Sequence, residues 1–203
     1  MTESCTPPRR GPYADYFPNV IVYDHEHQKA RFYDDLLLDR MVLINCMSVQ
    51  DDAVRPVTQN LLQVQNLLGH RLGRDVFMYS LTIDPERDTP TVLRAFADHH
   101  GVKPGWQFLT GTSEVMTTLR DRLFAHSGGH APGTNPESDC SMGMIRYGNE
   151  SVGLWGSVAT LAKPEQIVQR VAWITPRAQP EGAPRRSGPL PLTSENFGHR
   201  VNA

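Results

Sequence analysis

Apolar residues fall into short runs separated by segments with helical spacing. Apolar runs occupy positions 20–23, 41–46, 76–81 and 106–109. Runs of this kind predict strands, and the run 41–46 is typical of a strand at the centre of a sheet covered on both faces. Between the second and third runs Val57, Leu61, Val64 and Leu68 recur at the spacing of an amphipathic helix, which begins near Pro56 and ends at Gly69 or Gly73. The pattern predicts strands that alternate with helices.

Two hairpins are predicted, one near the start of the folded part and one just before its last helix. Residues 20–23 and 30–33 are predicted as two short strands that flank the turn 24–27. Residues 142–147 and 153–159 are predicted as a second pair, joined by a turn at Gly148-Asn149. A loop at 126–138, with several glycines and prolines, precedes that second pair.

Three further helices have recognisable starts. Thr89-Pro90 predicts an N-cap followed by proline in the first turn, with the helix ending near Gly101. Ser113 and Lys163 precede the other two. The residues predicted to face inward are Val92 and Phe96 in the first, Val115, Met116, Leu119 and Leu123 in the second, and Ile167, Val168 and Val171 in the third.

The ends of the 203-residue chain differ in composition from its middle. Residues 1–15 are predicted to be a disordered arm, and residues 175–203 a proline-rich extended tail. Residues 16–174 are predicted to form one domain, which contains the strands and helices described above.

Composition narrows the function classes. The net charge of −2 gives no electrostatic case for nucleic acid or an anionic membrane. No apolar run approaches the roughly 18 residues of a membrane helix, and the first residues lack the apolar region of a signal peptide. The three cysteines, at positions 5, 46 and 140, form no spaced motif.

Four segments carry a resemblance to a known family. They are the strand, turn and helix of residues 41–61, the sequence DPERDTP at 84–90, GMIRYGNE at 143–150 and YFPNV at 16–20. Together they resemble the SCO1/SenC family, thioredoxin-fold proteins that deliver copper to cytochrome c oxidase. The resemblance covers about residues 16–174. It implies an α/β fold of the thioredoxin-like SCO type, with a central mixed sheet flanked by helices and an N-terminal β-hairpin.

The resemblance also locates a copper site whose ligands are changed. The family carries Cys-x-x-x-Cys in the turn before the helix and a histidine before a later strand; the matching positions here are Asp51, Arg55 and Ser141. A guanidinium stays protonated and cannot ligate a metal. We expect Asp51 and Arg55 to form an ion pair at the helix start, where Asp51 or Asp52 is also favoured by the helix dipole.

A relocated copper site remains an alternative. Cys46 ends the central strand, Cys140 precedes a later one, and thiolate, thioether and imidazole groups all bind Cu(I). The other candidate ligands are Met142, Met144, His126 and His130. Structural interpretations compete with this one, because Cys46 at a strand end is typical of a small buried apolar residue. A disulfide between Cys46 and Cys140 also stays open.

These observations lead to three hypotheses. The first is an accessory or assembly subunit of a respiratory or other redox complex that works through protein contacts, needs no cofactor and has no catalytic residues. The second is a copper chaperone with a rebuilt site, and the third a thiol-disulfide oxidoreductase. Residues 84–90 are interpreted as turn and capping chemistry. The resemblance implies the periplasm, whereas the missing leader in this sequence would fit the cytoplasm.

Overall fold

A computed structural model describes residues 14–52, 54, 56–124 and 143–176. Seven strands form one sheet in the order β2-β1-β5-β4-β3-β6-β7. The strands are β1 Ile21–Asp24, β2 Lys29–Arg31, β3 Met41–Met47, β4 Val76–Thr82, β5 Trp106–Thr110, β6 Met144–Asn149 and β7 Leu154–Ala159. The helices are α1 Val49–Asp52, α2 Val57–Leu68, α3 Pro90–His100, α4 Ser113–Phe124 and α5 Pro164–Ile174.

The sheet is mixed, as predicted. Strands β3, β4 and β5 are parallel, whereas β6 runs antiparallel to β3 and β1 antiparallel to β5. The N-terminal hairpin pairs Ile21 with Arg31, and the later hairpin pairs Met144 with Ala159. The predicted α/β architecture, with helices flanking a central mixed sheet, is therefore confirmed.

Alternation along β3 places a separate core on each face of the sheet. Val42 and Ile44 are buried against the N-terminal segment and α4. Leu43 and Met47 are buried on the opposite face, where α2, α3 and α5 pack. Burial on both sides explains why this strand is apolar along nearly its whole length.

The first hairpin is shorter than predicted. Strand β2 ends at Arg31, and Phe32 and Tyr33 belong to a π-helical segment, Phe32–Leu37, instead of to the strand. The sequence prediction was wrong here because both aromatic rings are fully buried in the core together with Leu36 and Leu37, and one turn of helix brings all four side chains to the same face.

Helix α3 begins and ends where predicted but has a different buried face. The Thr89 hydroxyl accepts a hydrogen bond from the Val92 amide at 3.4 Å, and Gly101 ends the helix in the left-handed conformation with φ 66°. Val92 itself is 40 % exposed, so its predicted inward position is wrong. The buried residues are Leu93 and Ala97, and Phe96 packs at the border of the core.

The turn of the second hairpin lies further along the chain than predicted. Gly148 and Asn149 are paired within β6 with Val42 and Met41, and the chain turns at 150–153. Gly148 is required inside the strand because the Trp155 ring occupies the place of a side chain there. Gly153, with φ 67°, provides the turn conformation.

The remaining predicted helices agree with the structure. The helix over Val57–Leu68 ends at Gly69, α4 buries Met116, Leu119 and Leu123, and α5 buries Ile167 and Val171. Val115 and Val168 are partly buried at the edges of the two cores. Helix α1 was not predicted. The predicted loop 126–138 and nearly all of the two predicted terminal arms lie outside the described residues, and the arm and tail boundaries stay predictions.

Candidate functional site

The turn between β3 and α2 is closed by its own carboxylate. The backbone amide of Asp52 donates to the Ser48 carbonyl at 3.1 Å, which shapes the single turn of α1. The Asp52 side chain then accepts from the Thr58 amide at 2.9 Å. The Asp52 carboxylate therefore satisfies one of the amides left unpaired at the start of α2.

Asp51 differs from its neighbour. Its side chain is exposed on α1, and its carbonyl accepts a hydrogen bond from the Val54 amide at 3.0 Å. Arg55 lies outside the described residues, so the expected ion pair between Asp51 and Arg55 stays a prediction. Of the two aspartates proposed near the helix start, Asp52 is the one that caps it.

The loop after β4 is tied to this turn by a buried carboxylate. Asp88 is 3 % exposed and accepts two hydrogen bonds, from the Thr82 hydroxyl at 2.5 Å and from the Val49 amide at 3.2 Å. The Asp84 amide donates in turn to the Thr82 hydroxyl at 3.0 Å. This role of Asp88 was missed in the sequence, where the only signal was its position just before the helix cap Thr89.

Burial raises the pKa of Asp88 above its ordinary value. The hydrogen bonds from Thr82 and from the Val49 amide act in the opposite direction, whereas the negative charges of Asp84 and Asp51 add to the increase. The loop thus keeps a carboxyl group in a place that favours its neutral form.

An arginine fastens the same loop on its outer side. Arg87 donates to the Gln50 side chain at 2.7 Å and lies 3.6 Å from the Asp84 carboxylate. Because both contacts are exposed, they add little stability, but they hold the loop against α1. The segment 84–90 thus makes the turn and capping contacts expected of it.

A small polar cavity of about 230 Å³ opens on the other side of this loop. Its walls come from the end of β4, the following loop and one face of α4. The lining residues whose side chains are charged are Asp84, Glu86 and Arg120. The cavity shares Asp84 with the loop described above and so belongs to the same region.

Cys46 lies inside the core. It is 1 % exposed and packs on the same face of the sheet as Ile44 and Tyr79, with Met144 partly buried against that cluster. Continuing the register of β3 and β6 by one step places Met144 next to Cys46. The other residues singled out in the sequence lie outside the described part of the chain: Ser141, Cys140, Met142, His126 and His130. The relocated copper site and the disulfide therefore stay hypotheses.

The described residues of the turn do not fit a Cu(I) site. They offer the carboxylates of Asp51 and Asp52, of which the second is engaged in capping α2. Carboxylate oxygens suit hard cations, whereas Cu(I) prefers thiolate and thioether sulfur. Across 14–52, 54, 56–124 and 143–176 the structure brings together no three histidine, cysteine, aspartate or glutamate side chains in a metal-binding group.

The helices give no sign of a membrane span. None of those in the described ranges combines the length and apolar character that crossing a bilayer requires.

Solved structures share this fold. The structure of Bradyrhizobium japonicum ScoI with copper bound matches with a TM-score of 0.57 and 14% identity over 76% of this chain and 96% of that one. Yeast Sco1 with copper bound matches with a TM-score of 0.56 and 16% identity, over 77% of this chain and 92% of that one. A SCO1/SenC family lipoprotein from Bacillus anthracis matches with a TM-score of 0.57 and 16% identity, over 78% of this chain and 94% of that one. Because these sequence identities are low, the similarity shows a shared fold and nothing more.

Sequence comparison adds the family. Among curated proteins none matched the chain. The sequence model of the family described as SCO1/SenC matches residues 51–174, which is more than half of the chain and includes every element from α2 to α5. The chain therefore belongs to the SCO1/SenC family.

Proposed function

We propose that this chain is a SCO1/SenC protein that has lost the family copper site and acts through protein contacts. In this role it is a non-catalytic accessory or assembly subunit of a respiratory or other redox complex. We further propose a periplasmic location, which the family resemblance supports.

The observation that carries the proposal is the replacement of the ligand positions. Asp51, Arg55 and Ser141 stand where the family has two thiols and a histidine. No sulfur ligand remains in the turn, and the cationic Arg55 would repel a metal ion placed there. The cap that Asp52 provides to α2 supports the same view, because this carboxylate is engaged with the Thr58 amide.

A copper titration with a restored site tests the proposal. We expect the purified protein to retain no stoichiometric Cu(I) in competition with a strong chelator. The matched control is the triple variant Asp51→Cys, Arg55→Cys and Ser141→His, which returns the family ligands and should retain one Cu(I) per chain. Retention of one Cu(I) by the unaltered protein at sub-picomolar affinity, unchanged by Asp51→Ala, would contradict the proposal.

The second candidate function is a copper chaperone with a rebuilt site. It is supported by the position of Cys46 beside Met144 on one face of the sheet, because both carry soft sulfur ligands. In that case Cys140→Ser abolishes copper retention by the otherwise unaltered protein. Against this candidate stands the burial of Cys46 in an apolar core.

We propose no enzymatic activity. A thiol-disulfide oxidoreductase needs a reactive thiolate at the start of a helix, and Asp51 and Arg55 occupy that place. The folded protein should therefore show no disulfide-reductase activity. Loss of a disulfide-reductase activity on alkylation would instead identify the chain as such an enzyme.

A further inference from the structure

The last two strands carry more hydrogen-bond donors than acceptors on one face of the sheet. Arg146 of β6 lies opposite Ser157 of β7, and Trp155 lies two residues before Ser157, so all three side chains share a face. Nε of Arg146 and Nε1 of Trp155 are both buried, and neither meets an acceptor within the described residues. A buried donor without an acceptor has lost its hydrogen bond to water without compensation, so a group rich in acceptors is favoured here.

Arg146 also differs from most described arginines in its charge environment. Its one polar contact is a hydrogen bond from Nη1 to the Ser157 hydroxyl at 3.3 Å, and no carboxylate in the described part of the chain pairs with it. The described arginines that do have a carboxylate partner are Arg31, Arg71, Arg74, Arg87, Arg94 and Arg120. A half-buried guanidinium that faces only a neutral hydroxyl is complementary to an anionic group.

The position of this guanidinium connects it with a sheet edge. Strand β7 stands at the end of the strand order, and among the described strands it pairs with β6 alone. Arg146 reaches across to Ser157, so its charge lies over the edge strand itself. A strand added beside β7 would lie about 4.8 Å away, and a side chain opposite Ser157 on this face would come within reach of Arg146.

We propose that the β7 edge binds an extended acidic segment of a partner protein by strand addition, with a carboxylate of that segment meeting Arg146. Backbone hydrogen bonds to β7 give the affinity, and the carboxylate gives the register. Leu154, which is 50 % exposed and lies on the opposite face, contacts an apolar residue three positions along the partner strand from the acidic one. This inference rests on the proposed role in protein contact and specifies the surface and the partner's chemistry.

A set of probe peptides tests the edge. The probes are four capped hexapeptides of valine and threonine, each with a single glutamate at a different one of the four central positions. Each glutamate peptide has a counterpart in which glutamine replaces the glutamate. We expect at least one glutamate peptide to bind the full chain about tenfold more tightly than its counterpart at low salt, and this preference should weaken at high salt. Arg146→Gln should abolish it, whereas Arg94→Gln, at an exposed arginine of α3, should leave it intact.

A second measurement on the unaltered protein tests the edge even if Arg146→Gln fails to fold. In the unaltered protein, hydrogen exchange of the amides of residues 154–159 should slow when the preferred peptide is added. Equal binding of every glutamate peptide and its glutamine counterpart, a preference that survives Arg146→Gln, or unchanged exchange in β7 overturns the inference. The copper titration is read separately, so failure of the proposed function and failure of this edge site are distinguishable.

Discussion

Thr82 donates its hydroxyl to the carboxylate of Asp88 at 2.5 Å, and this contact ties the loop after β4 to the end of that strand. The same carboxylate accepts the Val49 amide, so one buried group joins the loop both to β4 and to the start of α1. The frame around the family's copper turn is thus maintained by hydrogen bonds that involve no metal ligand.

Asp88→Ala should destabilise the protein by about 1–3 kcal/mol, because the Thr82 hydroxyl and the Val49 amide lose their buried acceptor. Asp88→Asn keeps an acceptor oxygen and should cost less. Urea unfolding at pH 7, followed by tryptophan fluorescence, measures both variants. Equal losses for alanine and asparagine would mean that the acceptor contributes nothing.

The pH dependence of the same site has a definite sign. Because the folded-state pKa of Asp88 is raised, the stabilisation linked to its proton is complete below the ordinary value of about 3.9 and is lost as the pH rises through the folded-state pKa. Compared with Asp88→Asn, the unaltered protein should therefore gain unfolding free energy as the pH falls from 7 towards 4. A difference that is constant with pH, or that changes in the opposite direction, would contradict this assignment.

Asp52→Ala should cost about 0.5–2 kcal/mol, because the carboxylate caps α2 through the Thr58 amide. The neighbouring Asp51→Ala is the matched control and should change stability by less than about 0.5 kcal/mol, since that side chain is exposed. Both are measured by denaturant unfolding at low salt. A larger loss for Asp51 than for Asp52 would indicate that the ion pair with Arg55 dominates the turn.

Protonation of His25 should lower the free energy of unfolding in mild acid. Its Nδ1 accepts the Phe108 amide at 3.2 Å, and its pKa is lowered, chiefly by burial and further by Arg94, although Asp24 and Glu26 oppose the change.

The stabilisation linked to neutral His25 is present above the ordinary pKa of about 6.5 and is lost as the pH falls through the folded-state pKa. Thermal unfolding at pH 7.5 and 5.5 should show a smaller acid-induced decrease in Tm for His25→Gln than for the unaltered protein. His27→Gln, at an exposed position, should behave as the unaltered protein does. The same decrease in all three proteins would assign the pH effect to other groups.

Gly148→Ala should destabilise the protein by about 1–3 kcal/mol, because a Cβ at this position would clash with the Trp155 ring. Gly143→Ala is the control, since a Cβ there meets nothing within 4 Å. Denaturant unfolding with near-ultraviolet circular dichroism reports both stability and the packing of Trp155. An unchanged signal for Gly148→Ala would show that the ring can move away at little cost.

The sequence by itself determined the succession of strands and helices and the family. Apolar runs located β3, β4 and β5, and the spacing from Val57 to Leu68 located α2, because these patterns depend on residues close together in the chain. It also predicts, from the family resemblance, that Asp51, Arg55 and Ser141 stand at the family's ligand positions, since a residue at a matched position is read without coordinates.

Only the tertiary structure decided features that depend on distant partners. Phe32 and Tyr33 lie in a helical segment instead of the predicted strand because core residues distant in the chain bury their rings. Gly148 lies inside a strand instead of in the predicted turn because Trp155 covers it. The buried acceptor role of Asp88 requires Val49, and the hydrogen bond from Arg146 to Ser157 appears only when β7 is placed beside β6. Burial and hydrogen bonding between segments far apart in the chain set these properties, and no local pattern contains them.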